Sequence, residues 1–246
     1  GWSAIGKWSG VRLGDVLEAM DRVMARSASK PVSEFYERVH REAGVVFHLN
    51  TGVEGFEGTG KLTGVRAGGK TFSADIALVG IGVVPNCEIA EAAGLKCGDG
   101  VYIDKTCTTE DPAIFAAGDC TRHHGRNGDL IRLESVQNAI DQAKHAALAM
   151  VGKPTPYNEV PWFWSDQYDL KLQIAGLAKP GDQIVLRGDP GLRKFAVFHL
   201  RDGAVVAVEA VNAAPEYLIG RKLIADAATV APERLADTAI PMKNIV

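Results

Sequence analysis

The fold is decided by the stretch TEDPAIFAAGDC, residues 109–120 of the chain. It predicts a proline turn and then a short buried strand over residues 114–117, which ends in Gly118 and Asp119. Open α/β sheets hold their ligands at the carboxyl ends of the strands. Gly118 would let a ligand approach the backbone, and Asp119 offers an acceptor for a sugar or polyol hydroxyl. The alternative is an ordinary strand-end aspartate that caps a turn.

The bulk composition is that of an ordinary globular protein. The 246 residues are 46% hydrophobic and 23% charged, with a net charge of −3, so one large domain or two to three smaller ones are expected. We expect no nucleic-acid partner, no membrane segment and a cytoplasmic location. Four cysteines with neither C-x-x-C nor zinc-knuckle spacing predict reduced thiols and no metal site: Cys87, Cys97, Cys107 and Cys120.

The start of the chain carries a weak nucleotide-binding signal. Residues 1–6 resemble the G-x-G-x-x-G motif with serine at the middle glycine, which makes Gly1 and Gly6 candidate cofactor residues. Glu18 then ends a predicted strand, where an acid can bind both hydroxyls of an adenosine ribose and would repel a 2′-phosphate. This predicts NADH rather than NADPH. The alternative for Glu18 is an exposed acid without a ligand.

Alternating short strands and helices follow, and then several strands in a row. A boundary is expected near residues 154–156, beyond which an antiparallel sheet and one helix predict an α+β module. Predicted helices cover residues 32–42, 87–93, 136–150 and 215–227. Predicted strands cover residues 45–49, 52–57, 62–66, 70–72, 75–79, 171–176, 183–187, 194–200 and 204–211.

Two segments offer backbone groups to a planar ligand. The first follows the buried strand predicted at 75–79, where Gly80, Ile81 and Gly82 could lie against a flat ring or a pyrophosphate. Its alternative is a plain strand-to-loop turn. The second is the polar start of the helix predicted at 136–150. The open amides there, notably at Val136, could face the pyrimidine edge of a flavin.

The helix start and the aromatic run after it each allow a simpler interpretation. Glu134 and Ser135 are candidate cofactor residues, but they could merely cap the helix. Residues 161–169 contain four aromatics, of which Trp164 could cover a flavin or a nicotinamide. The alternative is core packing.

Taken together, these stretches resemble the oxygenase-coupled ferredoxin reductases. The matching segments are residues 16–19, 79–86, 114–120, 132–142 and 161–176. The resemblance implies an α/β, two-dinucleotide-binding (glutathione reductase-like) flavoprotein with a C-terminal α+β domain. The implied domains are a partial NAD-binding domain over 1–83, the C-terminal part of an FAD-binding domain over 84–155 and an interface domain over 156–246.

The same resemblance assigns cofactors and roles. It implies FAD and NADH, with electrons passed to a 2Fe–2S ferredoxin that serves a cytochrome P450 or a ring-hydroxylating dioxygenase. Asp119 would bind the ribityl chain, the Val136 amide the flavin ring, and Glu18 would select NADH. Trp164 would sit near the flavin. No protein nucleophile is required.

The sequence also departs from the family pattern. The family begins with its own FAD-binding glycine motif, which has no counterpart here, so we expect a fragment. A catalytically incomplete binding or dimerisation module is one alternative, and a related reductase of a quinone or rubredoxin is another. Monomer and homodimer both remain open.

The ferredoxin partner is expected to meet a basic loop. Since ferredoxins are usually acidic, docking is predicted beside the flavin motif, despite the negative net charge of the chain. A solvated loop is the alternative. The candidate residues are Arg122, His123, His124, Arg126 and Arg132.

Overall fold

The computed structural model describes residues 14–246, and the chain divides into two compact units, Gly1–Gly82 and Val83–Val246. The predicted glycine motif at Gly1 and Gly6 therefore lies outside the described residues. Within those residues, no helix combines the length and the apolar character that crossing a membrane requires.

The first unit begins with a strand–helix–strand element. Strand β1 (Asp15–Leu17) pairs in parallel with β2 (Val46–His48), and helix α1 (Lys30–Glu42) connects them. Proline at the start of α1 preorganises its first turn. The predicted apolar face is buried, which confirms the helix: it consists of Val32, Phe35, Tyr36 and Val39.

A three-stranded antiparallel sheet follows in this unit. Its strands are β3 (Val53–Glu57), β4 (Gly64–Ala67) and β5 (Lys70–Ser73), in that order across the sheet. Gly68 and Gly69 both have positive φ, 56° and 72°, which the two-residue turn between β4 and β5 requires.

The buried strand predicted over residues 75–79 is wrong. The segment forms no strand, and its apolar side chains are exposed, with Ile76 at 80% and Leu78 at 73%. An apolar run becomes a buried strand only where a neighbouring strand takes up its backbone hydrogen bonds. Within residues 14–82 no strand pairs with this segment.

The second unit starts with a small mixed sheet and a long helix. Helix α2 (Glu88–Ala92) precedes a sheet in which only the central pair is parallel. The sheet strands are β6 (Cys97–Gly98), β7 (Gly100–Tyr102), β8 (Thr121–His124) and β9 (Leu130–Ile131). Helix α3 (Val136–Met150) follows with the predicted bounds.

The strand predicted over residues 114–117 is also wrong. Phe115 forms a single antiparallel bridge with Thr108, and the four residues are half-buried rather than buried. The predicted proline turn is present at Pro112 and Ala113, and the segment is followed by a turn at Asp119 and Cys120.

A five-stranded antiparallel sheet closes the chain, which confirms the α+β module. The strand order is β10-β11-β14-β13-β12, and helix α4 (Ala214–Ala225) packs on β11 and β14. A short helix α5 (Pro232–Ala236) contacts β12. The strands are β10 (Trp162–Gln167), β11 (Leu170–Gly176), β12 (Gln183–Asp189), β13 (Lys194–Arg201) and β14 (Ala204–Val211).

The core of this module lies between the sheet and helix α4. Phe198 and Val208 are fully buried and pack with Tyr217 and Leu223 of the helix. Each such side chain contributes roughly 1.5–3 kcal/mol to stability. Gly220 makes the close approach possible, because a Cβ there would lie 2.7 Å from a Val208 methyl.

Candidate functional site

The tip of residues 118–119 lies against the first turns of helix α3. Gly118 is buried with φ +88°, and a Cβ at this position would lie 3.4 Å from Cβ of Ala139. Asp119 is exposed. Among the described residues, no hydrogen bond or ion pair engages its carboxylate. The predicted acceptor is therefore available to a ligand.

The start of helix α3 combines a cap with open amides. Ser135 is the N-cap, and its Oγ accepts from the Asn138 amide at 3.1 Å, so the capping alternative is confirmed for Ser135. In the described part of the chain, the Val136 and Gln137 amides have no acceptor. Val136 itself is 57% exposed. Capping leaves these two donors free at the positive end of the helix.

Arg132 connects the tip with the helix start. Its guanidinium pairs with Asp99 at 2.8 Å and with Glu134 at 2.8 Å, and it donates to the Asp119 carbonyl at 3.3 Å. Burial disfavours the charge, but the hydrogen bonds and charges of Asp99 and Glu134 outweigh it and raise the pKa of Arg132. The Glu134 carboxylate is thus engaged by Arg132 and helps to hold that guanidinium in place.

Buried hydrogen bonds hold the start of helix α3 in place. The Tyr157 hydroxyl donates to Oδ1 of Asn138 at 2.8 Å, and the Asn138 amide group donates to the Leu133 carbonyl at 3.2 Å. The Tyr157 ring stands edge-on to His123, with ring centroids 5.3 Å apart. Burial raises the pKa of Tyr157, which therefore acts as a neutral donor.

The sequence reasoning missed this network and the part that Gln142 plays in it. Both Asn138 and Gln142 are buried on helix α3, and they are four residues apart. Two amide side chains on one buried helix face are a detectable signal, because buried polar groups need partners. Their partners come from other segments, which the local pattern does not reveal.

Trp164 lies on strand β10, which helix α3 contacts. Its ring is half-buried and lies 5.6 Å from that of Trp162, tilted by 35°. Trp162 packs in turn on Tyr217 and on the Arg221 guanidinium, so Trp162 belongs to the core of the last module. The role predicted for Trp164 remains a prediction.

In the first unit, Glu18 follows strand β1 at its carboxyl end, as predicted. One carboxylate oxygen accepts from the Met20 amide at 2.8 Å. The Glu18 amide donates to the His48 carbonyl, and its own carbonyl accepts from Thr51. The residue is therefore held in place by the backbone, with its second carboxylate oxygen open among the described residues.

The predicted loop of Gly80, Ile81 and Gly82 meets a cation that the sequence reasoning missed. Arg26 donates to the Ile81 carbonyl at 3.3 Å, and a Cβ on Gly82 (φ +98°) would lie 3.1 Å from the Arg26 guanidinium. Within residues 14–82, no hydrogen bond joins this loop to Glu18. The loop and the acid therefore lie in the same unit without a hydrogen bond between them.

The arginines predicted to dock a partner differ in the contacts that they make within the chain. Arg126 donates to the carbonyls of Asn158 and Ala225 at 2.7 and 2.8 Å, so it braces two segments. Arg132 is paired with Asp99 and Glu134. The Arg122 guanidinium lies 5.8 Å from the Tyr102 ring centre, and among the described residues it forms no ion pair. Arg122 lies on strand β8 rather than in the predicted loop. Docking at these residues stays a prediction, with Arg122 as the arginine that neither pairs with a carboxylate nor braces another segment among the described residues.

The donor set suits a hydroxylated, planar ligand better than a metal. An open carboxylate accepts from hydroxyl groups, and two helix-end amides donate to carbonyl oxygens. No group of three or more metal-ligating side chains occurs among residues 14–246. The four cysteines are free thiols.

Comparison with known proteins places the chain in a family. The model described as "Pyridine nucleotide-disulphide oxidoreductase" matches residues 9–143, more than half of the chain. The chain belongs to the pyridine nucleotide-disulphide oxidoreductase family. A second model, "Reductase C-terminal", matches residues 162–246, which cover the five-stranded sheet and the helices after it.

Within this family the chain is similar to ferredoxin reductases. It is 46% identical over 235 residues to the 5,5′-dehydrodivanillate O-demethylase ferredoxin reductase subunit of a Sphingobium species, covering 94% of this chain and 57% of that protein. It is 41% identical to putidaredoxin reductase of Pseudomonas putida, covering 94% and 56%. The chain therefore spans little more than half the length of these relatives.

Solved structures of ferredoxin reductases also match the chain. The chain matches the ferredoxin reductase of a Rhodopseudomonas palustris system with TM-score 0.89 and 42% identity, covering 93% of this chain and 57% of that one. It matches the covalent putidaredoxin reductase–putidaredoxin complex with TM-score 0.89 and 41% identity, covering 94% and 57%. The two-dinucleotide-binding flavoprotein fold is thereby confirmed.

The family implies FAD, and the second unit fits one part of it. The Asp119 carboxylate matches a ribityl hydroxyl in hydrogen-bonding chemistry, and the Val136 and Gln137 amides match a flavin carbonyl. The missing Cβ of Gly118 lets the backbone before Asp119 pack closely on Ala139 of helix α3.

Proposed function

We propose that the chain forms part of an FAD-containing, NADH-dependent ferredoxin reductase in the cytoplasm, which passes electrons to a 2Fe–2S ferredoxin. The ferredoxin would serve a cytochrome P450 or a ring-hydroxylating dioxygenase. The observation that carries the proposal is the open Asp119 carboxylate, which follows a glycine packed on helix α3, the helix whose first amides are open. Similarity to ferredoxin reductases over 94% of the chain supports it.

The residues of the second unit would bind and orient the cofactor. When bound, FAD supplies hydride acceptance from NADH and release of electrons one at a time. Asp119 would hold the ribityl chain, and the Val136 amide would hold the ring at the positive helix end. Trp164 would shield the ring from water. Since the cofactor carries the chemistry, no side chain needs to act as a nucleophile.

The residues of the first unit would bind NADH. Glu18 is held by three backbone hydrogen bonds, so its free oxygen is preorganised for a ribose hydroxyl. Replacing it by alanine should reduce the preference for NADH over NADPH. The Gly80–Gly82 loop would bind the dinucleotide through its backbone, next to Arg26.

An FAD titration tests the proposal. Purified protein is titrated with FAD, and quenching of flavin fluorescence gives the dissociation constant. Asp119→Ala should weaken binding by about tenfold or more, the loss expected for a hydrogen bond to a charged group. The control is Asp226→Ala, an exposed aspartate after helix α4. Wild-type protein that folds but takes up no FAD would overturn the proposal and favour a binding or dimerisation module.

The partner is tested separately at Arg122. Arg122→Glu should slow reduction of a 2Fe–2S ferredoxin and weaken its salt dependence, while reduction of ferricyanide by NADH stays unchanged. Arg122 is the informative position because Arg126 and Arg132 also hold the fold together. Equal rates of ferredoxin reduction by the wild type and by Arg122→Glu would place the docking surface elsewhere. Faster turnover with a quinone or a rubredoxin would favour a related reductase.

A further inference from the structure

Gln142 of helix α3 holds the turn that carries Asp119. Its side chain is fully buried, and its Oε1 accepts from the Gly118 amide at 2.7 Å and from the Thr121 hydroxyl at 2.8 Å. Gly118 has no side chain, so only its backbone can be anchored. The Thr121 amide and hydroxyl lie 3.0 and 2.8 Å from the Gly118 carbonyl, and Gln142 supplies the acceptor for the Gly118 amide, so Gln142 contributes to the position of Asp119.

The orientation of the Gln142 amide follows from its neighbours. A backbone N–H can only donate, so Oε1 must face Gly118. The Nε2 group then faces Nδ1 of His123, 3.2 Å away. Because Nε2 can only donate, Nδ1 must accept and carry no proton. The hydrogen bonds are complete only while His123 is neutral.

The surroundings of His123 favour that neutral form. The side chain is buried, and burial together with the neighbouring His124 lowers the pKa of His123. Its ring lies edge-on to Tyr157, which is buried and protonated. Among the described residues, the titratable or charged groups around the ring and its Tyr157 neighbour are Cys107, His124, Arg126, Asp141, His145, Tyr157 and Glu159.

We propose that Gln142 is a positioning residue, which fixes the Gly118–Asp119 turn on helix α3 by hydrogen bonds that require a neutral His123. Gln142 and His123 act on the site through the backbone of Gly118 and do not themselves bind a ligand. The consequence for FAD rests on the function proposed above. The effect on the turn itself does not.

The first experiment needs no cofactor. Amide hydrogen exchange at Gly118 and the pKa of His123 are measured by NMR in the wild type and in two variants. In Gln142→Leu the Gly118 amide loses its acceptor and should exchange about tenfold faster. In Gln142→Glu one carboxylate oxygen still accepts from Gly118, and the other draws a proton onto His123. The pKa of His123 should rise there by at least about one unit.

The control is Gln183→Leu, the same change at an exposed glutamine of strand β12. Unchanged exchange at Gly118 in Gln142→Leu would overturn the positioning role. If that variant does not fold, Gln142→Glu decides: a His123 pKa equal to that of the wild type means that the two side chains are not coupled, and the proposal fails.

The second experiment asks whether the turn serves FAD. The dissociation constant of FAD should rise about tenfold in Gln142→Leu, and Gln142→Glu should stay close to the wild type. If the wild type binds no FAD, the proposed function fails while the exchange and pKa results still decide the role of Gln142. If FAD binds equally to all three proteins, Gln142 holds the turn without serving the cofactor, and that part of the inference is overturned.

Discussion

The Arg132 guanidinium donates to the Asp99 carboxylate across 2.8 Å, so a charge predicted to dock a partner is paired within the chain itself. The same guanidinium pairs with Glu134 and donates to the Asp119 carbonyl. Arg132 therefore contributes to the shape of the candidate cofactor site, whatever it contributes to docking.

Arg132→Gln should lower the free energy of unfolding by about 1–2 kcal/mol, because it removes charge-assisted hydrogen bonds from a side chain that is mostly buried. Urea denaturation measures the change. Arg38→Gln is the matched control, since its ion pair with Glu42 is 3.9 Å long and exposed, and it should change stability by less than about 0.5 kcal/mol. Equal effects would show that the bonds of Arg132 contribute no stability.

Arg187→Met should destabilise the last module more strongly, by about 3 kcal/mol or more. The guanidinium is buried and donates to the carbonyls of Leu235, Asp237 and Ile240, and it also pairs with Glu216 at 3.3 Å. Methionine fills the space but leaves these acceptors without a donor. The midpoint of thermal unfolding reports the loss.

The control for Arg187 is Arg193→Met, whose partner Asp169 is exposed. This substitution should leave the midpoint nearly unchanged. A small effect at Arg187 would mean that water takes over the three carbonyls, and that the C-terminal segment is held by its apolar contacts instead.

Local signals explain which elements could be predicted from the sequence. Helix α3 has the predicted bounds because Ser135 caps its start and its apolar spacing persists to Met150. The hairpin between β13 and β14 was also predictable. Asp202 and Gly203 both have positive φ, which Asp-Gly turns favour.

The two wrong strands failed for a common reason. Residues 76–79 and 114–117 are apolar, but a strand also needs a neighbour for its backbone hydrogen bonds, and composition does not show whether one exists. The candidate site likewise combines residues that a local pattern reveals with residues that it does not reveal. The sequence could suggest Asp119 and Val136, whereas Gln142 and Arg26 act through contacts between distant segments.

Cys107 should be the slowest thiol to react with iodoacetamide in the folded protein. It is fully buried, and burial together with Asp104 raises its pKa to about 11. At pH 8 only about one part in a thousand is thiolate, and the alkylating agent also lacks access. Half-buried Cys120 is the internal reference and should be labelled before Cys107.

Peptide mapping by mass spectrometry after timed labelling measures both cysteines in one sample. Cys107 should be labelled at the rate of Cys120 only after the protein is unfolded. Comparable rates in the native protein would mean that the segment around Cys107 opens readily.

Acid should destabilise the protein through His123. The folded state keeps this imidazole neutral, with a pKa lowered by burial, whereas in the unfolded chain its pKa is about 6.5. Between the two pKa values the unfolded state binds the extra proton. The contribution of neutral His123 to the free energy of unfolding is therefore fully present above about pH 6.5. It falls as the pH decreases from there towards the lower pKa of the folded state.

Comparing the unfolding free energies of variants with that of the wild type separates the contribution of His123 from those of the other histidines. His123→Gln keeps an acceptor for Gln142 but cannot titrate, so its unfolding free energy should fall less steeply between pH 7 and the onset of acid unfolding. His124→Gln removes one of the two causes that lower the pKa of His123, so its slope should lie between those of the wild type and His123→Gln. Parallel curves for all three proteins would show that His123 is protonated without disturbing the turn at Gly118.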